Sequence, residues 1–133
     1  MIKAYGSYWK NGLNFNDRTS PGDYWETVLV NVIITIALFV YMYLSTSGAV
    51  AGFKNPLAFI GPVAPIAFLV SWPVITLVPS VAMTVRRLHD SGRSGFFYLF
   101  ALIPLAGMFI MVIFLTSPTK PPHQNRYGYR RQV

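Results

Sequence analysis

Three long stretches without a charged residue constrain the fold of this chain more than any other feature. They cover residues 27–53, 55–85 and 94–119, which are 27, 31 and 26 residues long. A soluble domain would carry charge on the outer faces of its helices every few residues. A helix of about 20 residues already spans the roughly 30 Å hydrocarbon core of a bilayer. We therefore expect an all-α integral membrane protein with three transmembrane helices.

Composition supports this class and excludes several kinds of chemistry. Charged residues make up 11% of the chain and hydrophobic residues 53%, which is typical of membrane proteins. Because the chain has no cysteine, it forms no disulfide, thiolate nucleophile or cysteine-ligated metal centre. With two histidines and four acidic residues in all, we predict no metal site and no cofactor. No catalytic motif is recognisable, so we predict no catalytic residue.

The positions of the polar residues divide the chain into parts. The predicted parts are an N-terminal segment (1–25), a membrane domain (26–117) with spans at about 27–47, 59–86 and 95–116, and a basic tail (118–133). In the N-terminal segment, apolar and aromatic residues recur at helical spacings: Ile2, Tyr5, Trp9 and Leu13. This pattern predicts a short amphipathic helix in the membrane interface. The alternative is a tail whose aromatic side chains pack on neighbouring loops.

Ser20 and Pro21 predict the start of the first membrane helix. Ser20 can act as the N-cap, and Pro21 suits the first helical position because its missing amide hydrogen is not needed there. Asp23 and Glu26 then fall in the first turn, where the helix dipole favours acidic side chains.

The second uncharged stretch is unusual in its prolines, which are Pro56, Pro62, Pro65, Pro73 and Pro79. An interior proline removes a backbone hydrogen bond and kinks a helix, so we expect the second helix to be broken or kinked. Its small residues recur at spacings of three and four: Gly61, Ala64, Ala67 and Ser71. They predict a face on which another helix packs closely, and the alternative is that they only face lipid.

The densest group of polar residues lies between the second and third stretches. It contains Arg86, Arg87, His89, Asp90 and Arg93. Arg86 and Asp90 would face each other if the helix continues that far, while Gly92 suits a left-handed C-terminal cap and Ser94 can cap the next helix. A carboxylate near a helix C-terminus is disfavoured unless it is paired, and paired guanidiniums could bind a phosphate. Alternatively, the arginines are topogenic anchors and Asp90 is a local tether.

Two other interpretations of the polar residues are less favoured. His89 and Asp90 are adjacent, and adjacent helical residues point about 100° apart, which argues against a catalytic histidine–acid pair. The tail carries Arg126, Arg130 and Arg131 among tyrosines. Because it directly follows a membrane segment, we expect it to bind anionic lipid and not nucleic acid.

The run from Arg86 to Phe96 resembles the signature of the YhaH-like family of small bacterial inner-membrane proteins, known as domain of unknown function 805. Further matching residues are Phe15, Arg18, Tyr24 and Trp25 near the N-terminus, Pro104 and Gly107 in the third stretch, and Asn125, Arg126, Tyr127 and Gly128 in the tail. The resemblance covers about residues 5–128. It implies a multi-pass protein of the bacterial plasma membrane, and it implies no activity.

The resemblance also suggests that the three polar segments form one binding site. Its candidate residues are Arg18, Arg86, Arg87, His89, Asp90, Arg93, Asn125 and Arg126. This chain has Asp17, Pro21 and Gly22 where the family usually has Gly, Arg and Lys. Any anion-binding role of the N-terminal motif therefore rests on Arg18 alone.

Orientation in the membrane depends on the third stretch. With a straight crossing, the N-terminus and second loop carry six Lys and Arg residues against five in the first loop and tail, which gives no signal. A re-entrant hairpin at Pro104–Gly107 would return the tail to the second loop. Because 26 uncharged residues suit one span better than two halves, we expect a simple crossing. One basic residue in the first loop against three in the second predicts a cytoplasmic second loop and N-terminus.

These patterns favour a non-catalytic membrane protein whose arginine-rich residues bind anionic lipid headgroups in the bilayer. The acidic surface of a membrane-protein partner or a second copy of the chain is the alternative ligand. Two other functional classes stay open. One is a pore-forming oligomer resembling phage holins, and the other is a membrane enzyme that acts on lipid phosphate through His89 and Asp90.

Overall fold

The computed structural model describes residues 2–46 and 60–128, and all regular structure in this part of the chain is helical. The helices are α1 (Ile2–Lys10), α2 (Pro21–Thr46), α3 (Ile60–Asp90) and α4 (Ala106–Thr116), with 3₁₀ helices at Gly95–Leu102 and Pro122–Gln124. The prediction of an all-α fold is confirmed over these residues. Pro56, Arg130 and Arg131 lie outside them.

Two helices are long and apolar enough to cross a membrane. The spans are Pro21–Leu44, with a mean hydropathy of 2.3, and Ile66–Asp90, with a mean hydropathy of 2.0. Only 6% and 22% of their most apolar windows are buried within the chain, whereas the core helix of a soluble domain would be mostly buried. The 11-residue helix α4 is only about 16 Å long, which is about half of a hydrocarbon core.

The chain forms two compact units, of which the second comprises Leu29–Leu77. Its large apolar side chains are mainly exposed, as in Phe39, Phe68 and Val74. Two threonine hydroxyls donate to carbonyl oxygens of their own helix: Thr35 to Asn31 and Thr76 to Trp72, both at 2.8 Å. An apolar exterior with internally bonded hydroxyls is what a lipid environment requires.

Of the two predicted alternatives, a broken or a kinked second helix, the break is absent, because α3 is continuous from Ile60 to Asp90. Each interior proline removes a single hydrogen bond of the helix, and the prolines of α3 are three to eight residues apart. The bonds between them therefore keep the helix together. The predicted kink stays a prediction.

The predicted small-residue face of α3 is only partly covered by the rest of the described chain. Ala67 is exposed, while Ala64 and Ser71 are half-buried. The surroundings of Gly61 lie outside the described residues. A packing role for this face therefore stays a prediction.

The first unit comprises residues 1–28 and 78–133, and α1 packs against α3 within it. The predicted short helix is present, but the side chains that it buries are Ala4 and Tyr8, while Ile2 is 91% exposed. The Tyr8 hydroxyl lies 2.9 Å from the Ser80 Oγ. The placement of α1 in a membrane interface stays a prediction. The core of this unit consists of Tyr8, Tyr24, Met83, Leu88, Met111 and Leu115.

The third uncharged stretch folds back on itself, so the expected straight helix over residues 95–116 is wrong. The Gly95–Leu102 helix and α4 are joined by a γ-turn in which the Ala106 amide donates to the Pro104 carbonyl at 2.7 Å. Leu105 has the matching dihedral angles, φ 60° and ψ −61°. Gly107 lies so close to the other arm that a Cβ there would overlap the Phe100 carbonyl oxygen. We call residues 95–116 the hairpin.

Candidate functional site

The end of α3 positions the central polar residues. The Arg93 amide donates to the Leu88 carbonyl and the Gly92 amide to the His89 carbonyl, both at 2.9 Å. Gly92 has φ 76°, and together these features form the Schellman motif that ends many helices. The predicted left-handed cap at Gly92 is therefore confirmed. Ser94 then caps the hairpin by accepting a 3.4 Å hydrogen bond from the Phe96 amide.

Asp90, in the last turn of α3, is completely buried between two arginines. Its Oδ1 accepts a hydrogen bond from the Arg18 Nε at 3.1 Å, and its Oδ2 accepts one from the Arg87 Nη1 at 2.9 Å. The Thr119 hydroxyl donates to the same Oδ2 at 2.6 Å. We call Arg18, Arg87 and Asp90 the Arg–Asp cluster.

Arg87 also binds the far end of the hairpin. Its Nε donates to the Leu115 carbonyl at 2.9 Å, and its Nη2 donates to the Ser117 carbonyl. All three of its nitrogens therefore have acceptors, and the side chain is fully buried. A guanidinium used in this way fixes the end of α4 against the end of α3.

Arg18 fixes the C-terminal tail in the same way, by donating to its backbone carbonyls. Its Nη1 donates to the Gly128 carbonyl at 2.5 Å and its Nη2 to the Lys120 carbonyl at 2.6 Å. Arg18 is 5% exposed. Its donors are therefore directed at the chain itself and away from solvent.

The backbone at the end of α3 provides a second set of contacts to the tail. The Lys120 amide donates to the Asp90 carbonyl at 3.0 Å. The Asn125 Nδ2 donates to the His89 carbonyl at 2.8 Å and lies 3.3 Å from the Asp90 carbonyl. Asn125 is buried, so its amide satisfies carbonyls that the end of a helix leaves without partners.

The structure therefore brings the three polar segments of the sequence together on one face. Arg18 precedes α2, Asp90 ends α3, and Asn125 follows the hairpin. Four residues separate the capped end of α3 from the hairpin, which starts at Gly95, and Arg87 and Asp90 bind Leu115 at its far end and Ser117 and Thr119 just after it. Both ends of the third uncharged stretch consequently lie beside the end of α3.

The other candidate arginines differ in exposure. Arg86 is buried, its Nη1 donates to the Asn11 carbonyl at 3.0 Å, and its Nε has no hydrogen-bond partner among the described residues. Arg93 lies over the Phe114 ring, 4.4 Å from its centroid. Arg126 is exposed and donates to the Tyr127 hydroxyl at 2.6 Å. Among the candidate arginines, Arg93 and Arg126 are therefore the two that are not buried.

His89 is buried and its ring stacks on that of Tyr127, with centroids 3.8 Å apart. Its Nδ1 has no hydrogen-bond partner in the described part of the chain. Asp90 therefore does not orient this nitrogen as the acid of a catalytic pair would. Among residues 2–46 and 60–128, no group of three or more His, Asp and Glu side chains could hold a metal ion.

Sequence reasoning missed the acceptors that complete the cluster. They are the Thr119 contact to Asp90 and the carbonyls of Leu115, Ser117, Lys120 and Gly128. Every residue type has a carbonyl, so these acceptors leave no trace in the sequence. The sequence signal for these contacts was the pair Pro104 and Gly107, which allows the third stretch to reverse and the tail to return to the end of α3.

This chain is similar to known proteins over most of its length. The sequence model of the family described as "Protein of unknown function (DUF805)" matches residues 12–129. Inner membrane protein YhaH of Escherichia coli K12 is 30% identical over 119 residues, which are 90% of this chain and 88% of YhaH. Inner membrane protein YhaI of the same strain is 27% identical over 127 residues, 96% of this chain and 93% of YhaI.

No solved structure gives a significant match. The family match includes Arg18, the end of α3, the whole hairpin and Asn125. The chain belongs to the DUF805 family of proteins of unknown function, and its relatives are inner-membrane proteins.

Proposed function

We propose that the protein crosses the plasma membrane twice, through α2 and α3, and that the hairpin enters the bilayer and returns without crossing. The support is that the far end of the hairpin and the residues after it bind Arg87 and Asp90, while its near end follows the C-terminal cap of the same helix. An arm of 8 or 11 residues is about 16 Å long, which is too short to cross.

This topology gives the chain a strong charge asymmetry. If the tail lies with the N-terminus and second loop, ten of the eleven Lys and Arg residues are on one side and only Lys54 is on the other. A straight crossing would divide them six to five. The positive-inside rule then favours a cytoplasmic location for the face on which Arg18, Asp90 and Asn125 meet, which we call the polar face.

The polar face binds anionic lipid headgroups and has no catalytic role. The observation that carries this proposal is that some basic residues of this face are paired with Asp90 and others are not. Asp90 is already held by Arg18 and Arg87. Arg93, Lys120 and Arg126 form no ion pair with a carboxylate among the described residues. A basic residue near a membrane surface contributes about 1 kcal/mol to binding of anionic lipid.

Lipid retention by the purified protein tests this function. The full chain is extracted in mild detergent, and bound phosphatidylglycerol is counted by native mass spectrometry. An Arg93→Gln/Arg126→Gln variant should retain less, by about fivefold for each charge removed. The matched control is Lys3→Gln/Lys10→Gln, which removes two exposed charges from α1 and should retain more lipid than the test variant.

Equal phosphatidylglycerol retention by the wild type and the Arg93→Gln/Arg126→Gln variant would contradict lipid binding by this face. A protein that retains phosphatidylcholine as well as it retains phosphatidylglycerol would also contradict it, because the proposed attraction is electrostatic.

A further inference from the structure

A mainly apolar groove of about 470 Å³ lies beside the last turns of α3. Its lining includes Val81 and Val85 of α3 and Phe96 and Leu99 of the hairpin. This volume is within the range of small-molecule sites in proteins. The groove lies wholly within the first unit.

One end of the groove is lined by the rings of His89 and Tyr127. His89 lines this end and is only 7% exposed. Its Nδ1 is buried and has no hydrogen-bond partner within the described residues. Stacking on Tyr127, at an interplanar angle of 13°, fixes the ring in place. The His89 Nε2 lies beside Gly95, another residue of the lining, and is the ring nitrogen that can meet a ligand in the groove.

A cation lies next to the same end. The Arg126 guanidinium is 4.9 Å from the centroid of the Tyr127 ring, on which His89 stacks. Arg126 forms no ion pair with a carboxylate in the described chain. This end of the groove is therefore suited to an acidic group that accepts hydrogen bonds.

We propose that the groove binds a single anionic amphiphile, with its acyl chain between α3 and the hairpin and its acidic head at His89 and Arg126. From Val81 to His89, α3 rises about 12 Å, so the site connects the uncharged layer with the polar face. The apolar walls disfavour a free inorganic anion, and the polar end at His89 and Arg126 disfavours a plain hydrocarbon. This inference rests on the proposed preference for anionic lipid and assigns it a defined site.

Native mass spectrometry of the full chain in nanodiscs tests the site. The probes are phosphatidylglycerol, oleate and phosphatidylcholine, each added separately. Leu99→Trp fills the groove from an exposed position, and Leu102→Trp is the matched control on the same 3₁₀ helix outside the lining. His89→Phe retains the stacking ring and removes the nitrogen.

We expect the wild type and Leu102→Trp to hold one tightly bound anionic amphiphile per chain, and Leu99→Trp and His89→Phe to lose it at least tenfold. Preference for phosphatidylglycerol over oleate would identify a phospholipid as the ligand, and the reverse would identify a fatty acid. Equal occupancy in Leu99→Trp and Leu102→Trp would overturn the groove site and leave the proposed function intact. Absence of anionic lipid from every variant and from the wild type would overturn both.

Discussion

The second and third uncharged stretches respond to proline in opposite ways. Helix α3 contains Pro62, Pro65, Pro73 and Pro79 and is continuous over 31 residues. The third stretch has Pro104 alone in its interior and reverses direction there. The number of prolines therefore does not decide whether an uncharged stretch forms a single helix.

The difference lies in what surrounds each proline. In α3 the helical bonds on both sides of a proline continue, and hydroxyls such as that of Thr76 add bonds to the preceding turn. At Pro104 the chain forms a γ-turn, and Gly107 allows the two arms to touch. The Arg–Asp cluster then holds the far end of the hairpin against the end of α3, from which the near end starts. A helix breaker thus reverses the chain here because polar contacts stabilise the reversed form.

The largest effect on this comparison is expected from Asp90→Asn. The substitution leaves two buried guanidiniums without their shared carboxylate, and breaking a buried ion pair in this way costs about 3–5 kcal/mol. The free energy of unfolding in detergent micelles should fall by that amount. The control is Asp23→Asn at an exposed position in the first turn of α2, which should cost less than about 1 kcal/mol. Similar losses in the two variants would show that the cluster does not hold the hairpin.

Gly107→Ala should change stability less, and the sign of the change distinguishes the hairpin from a straight span. In a straight span, alanine would stabilise the helix by about 1 kcal/mol. In the hairpin, the added Cβ overlaps the Phe100 carbonyl oxygen, and overpacking of this kind costs about 1–3 kcal/mol. Thermal unfolding in micelles should therefore occur at a lower temperature. Gly6→Ala, where a Cβ meets open space, is the control and should raise it. A stabilising Gly107→Ala would contradict the close contact of the two arms.

The smallest expected effect is that of Leu105→Gly, and its sign is again informative. Leu105 has φ 60°, a backbone conformation that costs a non-glycine residue about 1 kcal/mol or more. Glycine should therefore stabilise the protein by about 1 kcal/mol in the same unfolding measurement. In a continuous helix it would instead destabilise by about the same amount. Leu102→Gly, within the 3₁₀ helix, is the control and should destabilise.

Local features of the fold could be predicted from the sequence because their causes are local. Ser20 caps α2 by accepting a 3.0 Å hydrogen bond from the Asp23 amide, and Gly92 ends α3. Absence of charge also identified the two long helices. It could not separate one span of 26 residues from two short arms, because hydropathy is the same for both.

Sequence reasoning identified candidate residues that meet at the end of α3, but not which arginines pair with Asp90. Spacing suggested that Arg86 would face Asp90, but Arg18 and Arg87 hold the carboxylate while Arg86 donates to Asn11. Arg18 is 72 residues away from Asp90 in the sequence, so no local rule could select it. Arg18 and Arg87 were also candidates for anion binding, but their donors are directed at Asp90 and at backbone carbonyls.

The most direct test of the central claim is the side of the membrane on which the tail lies. The chain has no cysteine, so single cysteines at Asn16, Ser47 and Gln124 can be probed on intact cells with an impermeant thiol reagent. The hairpin predicts that Asn16→Cys and Gln124→Cys are both protected until the membrane is permeabilised, while Ser47→Cys is labelled. Labelling of Gln124→Cys together with Ser47→Cys, with Asn16→Cys protected, would show that the third stretch crosses the membrane and would contradict the hairpin.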